Sequence, residues 1–239
     1  MPNSDTQIAS RICENLARAR ETIAAAAARS GRRAESVTLV GVTKYVEPSV
    51  ARMLVESGLN TLGESRPQQL WQKAEALADL QVSWHLIGHL QRNKVKRTLP
   101  LVACIHSVDS LRLLQEISRE AAAVHRTADV LLELNVSGDT SKTGLKPDEI
   151  EPLFPEISKQ PSVRVLGLMT MAGLEGGADR ARRDFAALRT LRDQLAPKCP
   201  ASVVLNELSM GMSGDYEVAI EEGATIIRVG SALFEGIEV

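Results

Sequence analysis

Short runs of Val, Leu and Ile alternate along most of this chain with longer stretches of helical period, the pattern of parallel strands joined by crossover helices. The apolar runs are VTLVGVT (from Val37), NTLGE (from Asn60), SWHLIG (from Ser83), LVACIHS (from Leu101), DVLLELNV (from Asp129), VRVLGLMT (from Val163), SVVLNELS (from Ser202) and TIIRVG (from Thr225). Between them PSVARMLVESG, SLRLLQEISREAAAVH, DEIEPLFPEIS and DRARRDFAALRTLRDQLA read as helices, most of them amphipathic. Runs that are apolar on both faces belong to a sheet covered by helices, and eight such units close a (β/α)8 TIM barrel with no sheet edge. An open doubly wound sheet is the alternative, but no G-x-G-x-x-G turn follows the first run to favour it. Ahead of the repeat, RICENLARARETIAAAAARS has the composition of a strong helix, with Ser4 or Asp5 to cap it and Gly31 to stop it. The expectation is an α/β protein with a single domain over 1–239: an extra N-terminal helix at 1–31 and the barrel at 37–236.

Composition narrows the partner. The 239 residues are 44% hydrophobic with a formal net charge of -2, so no overall field recruits nucleic acid or an anionic membrane. A small molecule is the expected partner. Cys13, Cys104 and Cys199 are far apart and lack metal-type spacing, which suits reduced thiols in the cytoplasm. The opening MPNSDTQIAS is polar and no apolar stretch reaches spanning length, so an unexported protein that does not enter a membrane is expected.

In such a barrel, functional groups gather where strands end and loops begin. Those ends hold Lys44, Glu64, His85, Asn135, Met169, Ser209, Arg228, Gly230 and Ser231. Lys44 closes the first run, and an amine partly desolvated at a barrel mouth can attack an aldehyde and hold it as an imine. The alternative is a lysine that snorkels to solvent. Gly230 and Ser231 follow the last strand and open a short helix, where N–H groups and a hydroxyl either seat a phosphate or simply cap the turn. The stretch ELSMGMSGD (Glu207 to Asp215) can offer Ser209 to the same anion, with Gly211 and Gly214 allowing a tight backbone path. Arg228 sits in an otherwise apolar strand and needs an acceptor: a ring nitrogen of a bound heterocycle, or a carboxylate such as Glu217 or Glu222. His85 and His89 flank the third strand end and read either as acid–base groups or, with no paired Asp or Cys spacing beside them, as buried or rim histidines with ordinary hydrogen bonds. Lys142 is the rival imine-forming lysine, and the basic stretch from Arg92 to Arg97 reads as a solvated helix face. Together an amine, a phosphate seat and an arginine match the aldehyde, phosphate and pyridine nitrogen of pyridoxal 5′-phosphate.

With those groups placed, VTLVGVTK, LGES, WHLIGHLQRNK, IHSVDS, LNVSGDTSKTGL, GLMTM and LSMGMSGDYEVAIEEGATIIRVGSALFEG resemble the YggS/PROSC family of pyridoxal phosphate homeostasis proteins, from about residue 37 to 236. The resemblance implies a monomeric barrel like the N-terminal domain of bacterial alanine racemase. It implies the cofactor as a Schiff base on Lys44, its phosphate held by Ser209, Met210, Gly230 and Ser231, and its pyridine nitrogen facing Arg228. It also implies a part in intracellular vitamin B6 balance without an established reaction, with pyridoxal-phosphate-dependent apo-enzymes as the recipients to consider. The chain departs from the family's GENY-QE at Ser65 and Arg66, carries His89 where a proline is usual, and has Glu235 between Phe234 and Gly236.

Two other functions use the same parts. An amino-acid racemase needs a second base opposite the amine. Tyr45 adjoins Lys44 and Tyr216 lies after the seventh strand, and the end of the chain at Val239 is expected to leave out the further domain that racemases of this type draw on. A cofactor-free aldolase would use Lys44 on a sugar phosphate and leave Arg228 with less purpose.

Overall fold

The structure, a computed structural model, describes residues 4–139, 143–173 and 176–237. Its strands are β1 (Thr38–Val42), β2 (Thr61–Glu64), β3 (Ser83–Leu86), β4 (Cys104–Val108), β5 (Ala128–Glu133), β6 (Val163–Met169), β7 (Val203–Ser209) and β8 (Ile226–Val229). All pair in parallel in chain order, and β8 returns to β1 from Thr38↔Ile226 to Gly41↔Val229, which closes the barrel and excludes the open sheet. Each strand coincides with one predicted run to within a few residues. The fourth starts late, at Cys104, because Leu99–Leu101 form a 3₁₀ turn around Pro100, which has no N–H to give a sheet ladder.

The helices are α1 (Ser4–Arg29), α2 (Pro48–Glu56), α3 (Pro67–Ala76), α4 (Val95–Thr98), α5 (Leu111–Ala123), α6 (Ile150–Ser158), α7 (Gly177–Leu195) and α8 (Tyr216–Glu221). The N-terminal helix buries Ile12, Leu16, Ala19, Ile23, Ala26 and Ala27, a stripe spaced by threes and fours, and packs on α2 and α8. Asp5 already lies inside its first turn and is not the cap residue. Its stop is Gly31: with φ at +69° the chain reverses and the Arg32 N–H returns to the Ala27 carbonyl at 2.8 Å. Among the described residues no helix is long and apolar enough to cross a membrane.

Inside the barrel, side chains recur at every second residue. Val40, Cys104, Leu131, Met169 and Ile226 form an apolar cluster. Two positions further along the chain in each case stand Val42, His106, Glu133, Arg228 and, just past the end of β6, Met171. All of these except His106 line a cavity at the C-terminal mouth. An apolar plug thus closes the barrel beneath a cavity lined by chemically active side chains.

Candidate functional site

The cavity has a volume of about 610 Å³ and a mostly apolar wall, a size suited to a small molecule. Its rim carries Lys44, Tyr45, Ser65, His89, Met212, Ser213, Gly214, Gly230 and Ser231. The β2 and β3 loops meet here so closely that a Cβ on Gly88 would lie 2.3 Å from the Ser65 carbonyl oxygen, so only glycine fits.

Lys44 lies in the turn just beyond β1, its Nζ 4.7 Å from the centre of the Tyr45 ring, and Tyr45 itself is 79% exposed. The turn is anchored from below. Lys73, buried on α3, donates to the Thr43 carbonyl at 2.5 Å and to Glu64 Oε1 at 2.6 Å, and Thr43 Oγ1 donates to the same Glu64 oxygen at 2.7 Å. Glu64, one of the strand-end candidates, therefore holds the backbone before Lys44 and does not line the cavity.

Arg228 reaches the cavity from β8 while only 4% exposed. Its Nη1 donates to Ser209 Oγ at 2.6 Å and its Nη2 to the Thr170 carbonyl at 2.9 Å. Burial lowers its pKa to about 10, against the raising fields of Asp215 and Glu133. The ion pair with Glu217 or Glu222 does not form: Glu217 pairs with Arg29 at 2.9 Å, and Glu222 with Arg182 at 2.9 Å and Arg189 at 2.8 Å.

Beside it, the backbone N–H groups of Gly230 and Ala232 both donate to Ser213 Oγ, at 3.1 and 3.4 Å. Two donors from the turn after β8 thus converge on one oxygen at the cavity rim. The helix that follows Gly230 is a single 3₁₀ turn, Ser231–Leu233, so these N–H groups, more than any helix dipole, make the spot attractive to an anion. Gly211 adopts φ of +92° and its carbonyl accepts from the Arg228 N–H at 3.0 Å, while Gly214 has no such requirement.

Ser209 and Met210 are placed differently from the other candidates. Neither lines the cavity: Met210 is wholly buried in the hydrophobic core, and Ser209 Oγ is engaged by Arg228 and by His106 Nδ1 at 2.9 Å. The strand ends that come together at the cavity are Lys44, Arg228, Gly230 and Ser231. Met169 belongs to the apolar plug, and Asn135 turns its side chain onto its own loop, donating to the Asp139 carbonyl at 2.7 Å.

Ser213, within the ELSMGMSGD stretch, and Glu133 line the cavity, though the sequence singled out neither residue by itself. Glu133 accepts from Thr143 Oγ1 at 2.9 Å, and burial raises its pKa. Its signal is like that of Arg228: an ionisable residue in an otherwise apolar run, here at the end of VLLE. Of the two histidines at the third strand end, His85 is the buried one. It lies inside the barrel with Nδ1 2.8 Å from His106 Nε2, while the exposed His89 meets Asp109 at 3.2 Å. His85, Cys104 and His106 bring ligand atoms within 4.8 Å of one another. The two rings, however, share a hydrogen bond, and burial pushes the thiol pKa up, away from the thiolate a metal needs. Lys142 lies outside the described residues. In the basic stretch, Arg97 stacks over Trp71 at 4.2 Å, and Arg92, Lys94, Lys96 and Arg97 do not line the cavity.

The alanine racemase N-terminal domain family matches residues 15–237. A pyridoxal phosphate homeostasis protein of Aquifex aeolicus is 45% identical over 93% of this chain and 96% of its own length. The chain belongs to the pyridoxal phosphate homeostasis protein family. Among solved structures, PipY of Synechococcus elongatus with pyridoxal phosphate bound superposes with a TM-score of 0.84 at 34% identity, covering 93% of this chain and 99% of that one. A protein of unknown function from Bifidobacterium adolescentis reaches 0.89 at 38% identity, covering 98% and 97%. The departures from the family's pattern fall in two places. Ser65 and His89 line the cavity, whereas Arg66 is exposed outside it. Glu235 lies on the outer side, where its carboxylate pairs with Arg18 at 2.9 Å and its carbonyl accepts from Asn15 at 3.0 Å, binding the segment after β8 to α1.

Proposed function

We propose that this chain is a carrier of pyridoxal 5′-phosphate that holds the cofactor covalently on Lys44 and releases it without turning over a substrate. The observation that carries this reading is one cavity lined by Lys44, Arg228 and the Ser213–Gly230 corner. The fit is chemical at each point. The N–H groups of Gly230 and Ala232 already converge on a hydroxyl oxygen, which a phosphate oxygen can replace or join, and the Ser231 hydroxyl stands beside them at the rim. Lys44 offers its amine to the aldehyde as a Schiff base. Arg228 presents a cation that can only donate to the pyridine nitrogen, which keeps that nitrogen unprotonated. Bound there, the cofactor supplies an electrophilic carbon and a conjugated ring, and an unprotonated ring is a weak electron sink, suited to storage more than to turnover. Gly230, Ser231 and Ser213 take the phosphate role in this reading, and Ser209 and Met210 do not.

The names of the relatives support a role in cofactor balance. Against a racemase stands the position of Tyr45, which shares the Lys44 turn and lies under its amine instead of opposite to it. The recipients in this reading are apo-enzymes that need the cofactor, and the carrier is a cytoplasmic monomer built as one barrel domain. The experiment is a titration of purified protein with pyridoxal 5′-phosphate followed in the visible range, with chiral analysis of amino acids incubated with the loaded protein. A visible band that is absent in Lys44→Ala, with no racemisation, is the expected result. Robust racemisation would overturn the carrier reading.

A further inference from the structure

Behind Arg228 a line of polar side chains runs through the interior of the barrel. His85 on β3, His106 on β4, Ser209 on β7 and Arg228 on β8 are linked by contacts of 2.8, 2.9 and 2.6 Å, and the guanidinium is also tied to the Thr170 carbonyl at 2.9 Å. All four side chains are buried. Burying so many polar groups costs free energy that an apolar filling would not, so a purely structural account leaves their presence unexplained.

The direction of the chain follows from donor chemistry. A guanidinium donates and never accepts, so Ser209 Oγ must accept from Arg228. The serine has one proton of its own, and its other partner is His106 Nδ1. If Nδ1 carried the ring proton, the serine would face two donors and its own buried hydrogen would lack an acceptor among its partners. Nδ1 is therefore bare and the His106 proton sits on Nε2, which donates to His85 Nδ1. His85 in turn carries its proton on Nε2.

We propose that His85, His106 and Ser209 are positioning residues that fix the orientation of the Arg228 guanidinium at the cavity floor through a hydrogen-bond chain polarised from Arg228 towards His85. For Ser209 this replaces the phosphate role that the family resemblance implies, since its oxygen is already shared between Arg228 and His106. As far as it concerns the bound ring, the inference rests on the cofactor reading above; the polarity of the chain does not. Burial holds both imidazoles neutral, His85 at about 4 and His106 well below its usual value, which keeps a bare nitrogen available at each step.

Two measurements test it. Long-range proton–nitrogen correlation spectra of histidine-labelled protein, without cofactor, read the tautomers directly. A proton on Nε2 of both His85 and His106 is expected, and a proton on Nδ1 of His106 would overturn the polarity. The second measurement is the dissociation constant for pyridoxal 5′-phosphate in His106→Phe and His106→Asn, with folding checked by circular dichroism. His106→Phe should raise the constant about tenfold, the worth of a misaligned hydrogen bond. His106→Asn, whose amide oxygen takes the place of Nδ1, should restore most of the loss. Equal affinity in folded His106→Phe would overturn the positioning role. Failure of the cofactor reading shows separately, as unmodified protein that does not bind pyridoxal 5′-phosphate while its tautomers remain as assigned.

Discussion

Lys44, Arg228 and Gly230 each stand two residues beyond another inward-facing side chain, namely Val42, Ile226 and Arg228. That spacing is why they were legible: period two along an apolar strand selects one face, and a charged residue on it has few reasons to be there. The same rule finds Glu133, two beyond Leu131, although the strand end had drawn attention to Asn135. It cannot tell how deep a residue sits, and so Ser209, on the inner face but one step too low, looked like part of the mouth. Ser213 lay beyond the rule altogether, in a loop whose path only the fold defines. Arg228→Gln should leave the protein folded and raise the dissociation constant for pyridoxal 5′-phosphate by tenfold or more, as a charged donor becomes a neutral one; an unchanged constant would remove the assigned role. Lys73→Met isolates the buried Glu64 carboxylate and frees the carbonyl that precedes Lys44. Urea unfolding should show a loss of about 3–5 kcal/mol.

Elements were legible wherever period and punctuation agreed. Gly31 stopped α1, and Ser110, whose hydroxyl accepts from the Leu113 N–H at 3.4 Å, opened α5. The short α8 gave no signal of its own, because six residues hold less than two turns of pattern. What no pattern could show is the purpose of α1. Its buried Asn15 donates to the carbonyls of Leu233 and Glu235, at 3.1 and 3.0 Å, and so secures the turn that follows the Gly230 corner. Asn15→Ala should cost about 1–3 kcal/mol, since two carbonyls lose their partner. It should also weaken phosphate seating, read as faster loss of pyridoxal 5′-phosphate on dilution. An equally stable variant with unchanged release would separate α1 from the site.

On the scale of the whole molecule, the closed barrel sets a polar layer on an apolar plug, and that layer makes stability depend on pH. His85 is held at about 4 against a reference of 6.5 by burial, beside His106 and with Cys104 and Arg228 nearby. An unfolded chain takes up this proton below pH 6.5 and the folded chain does not until about 4, so stability is greatest above 6.5 and falls as the pH drops through that window. Urea unfolding at pH 7 and pH 4.5 should differ by about 2–3 kcal/mol from His85 alone, and the difference should shrink in His85→Gln. The barrel could be read from eight apolar runs because most of their residues are buried; the layering within it could not, because it depends on strand register. The claim on which the function depends is the covalent one. Protein loaded with pyridoxal 5′-phosphate, reduced with borohydride and digested, should yield a single pyridoxyl-bearing peptide, modified at Lys44. A label on Lys142 or another lysine, or no label at all, would contradict it.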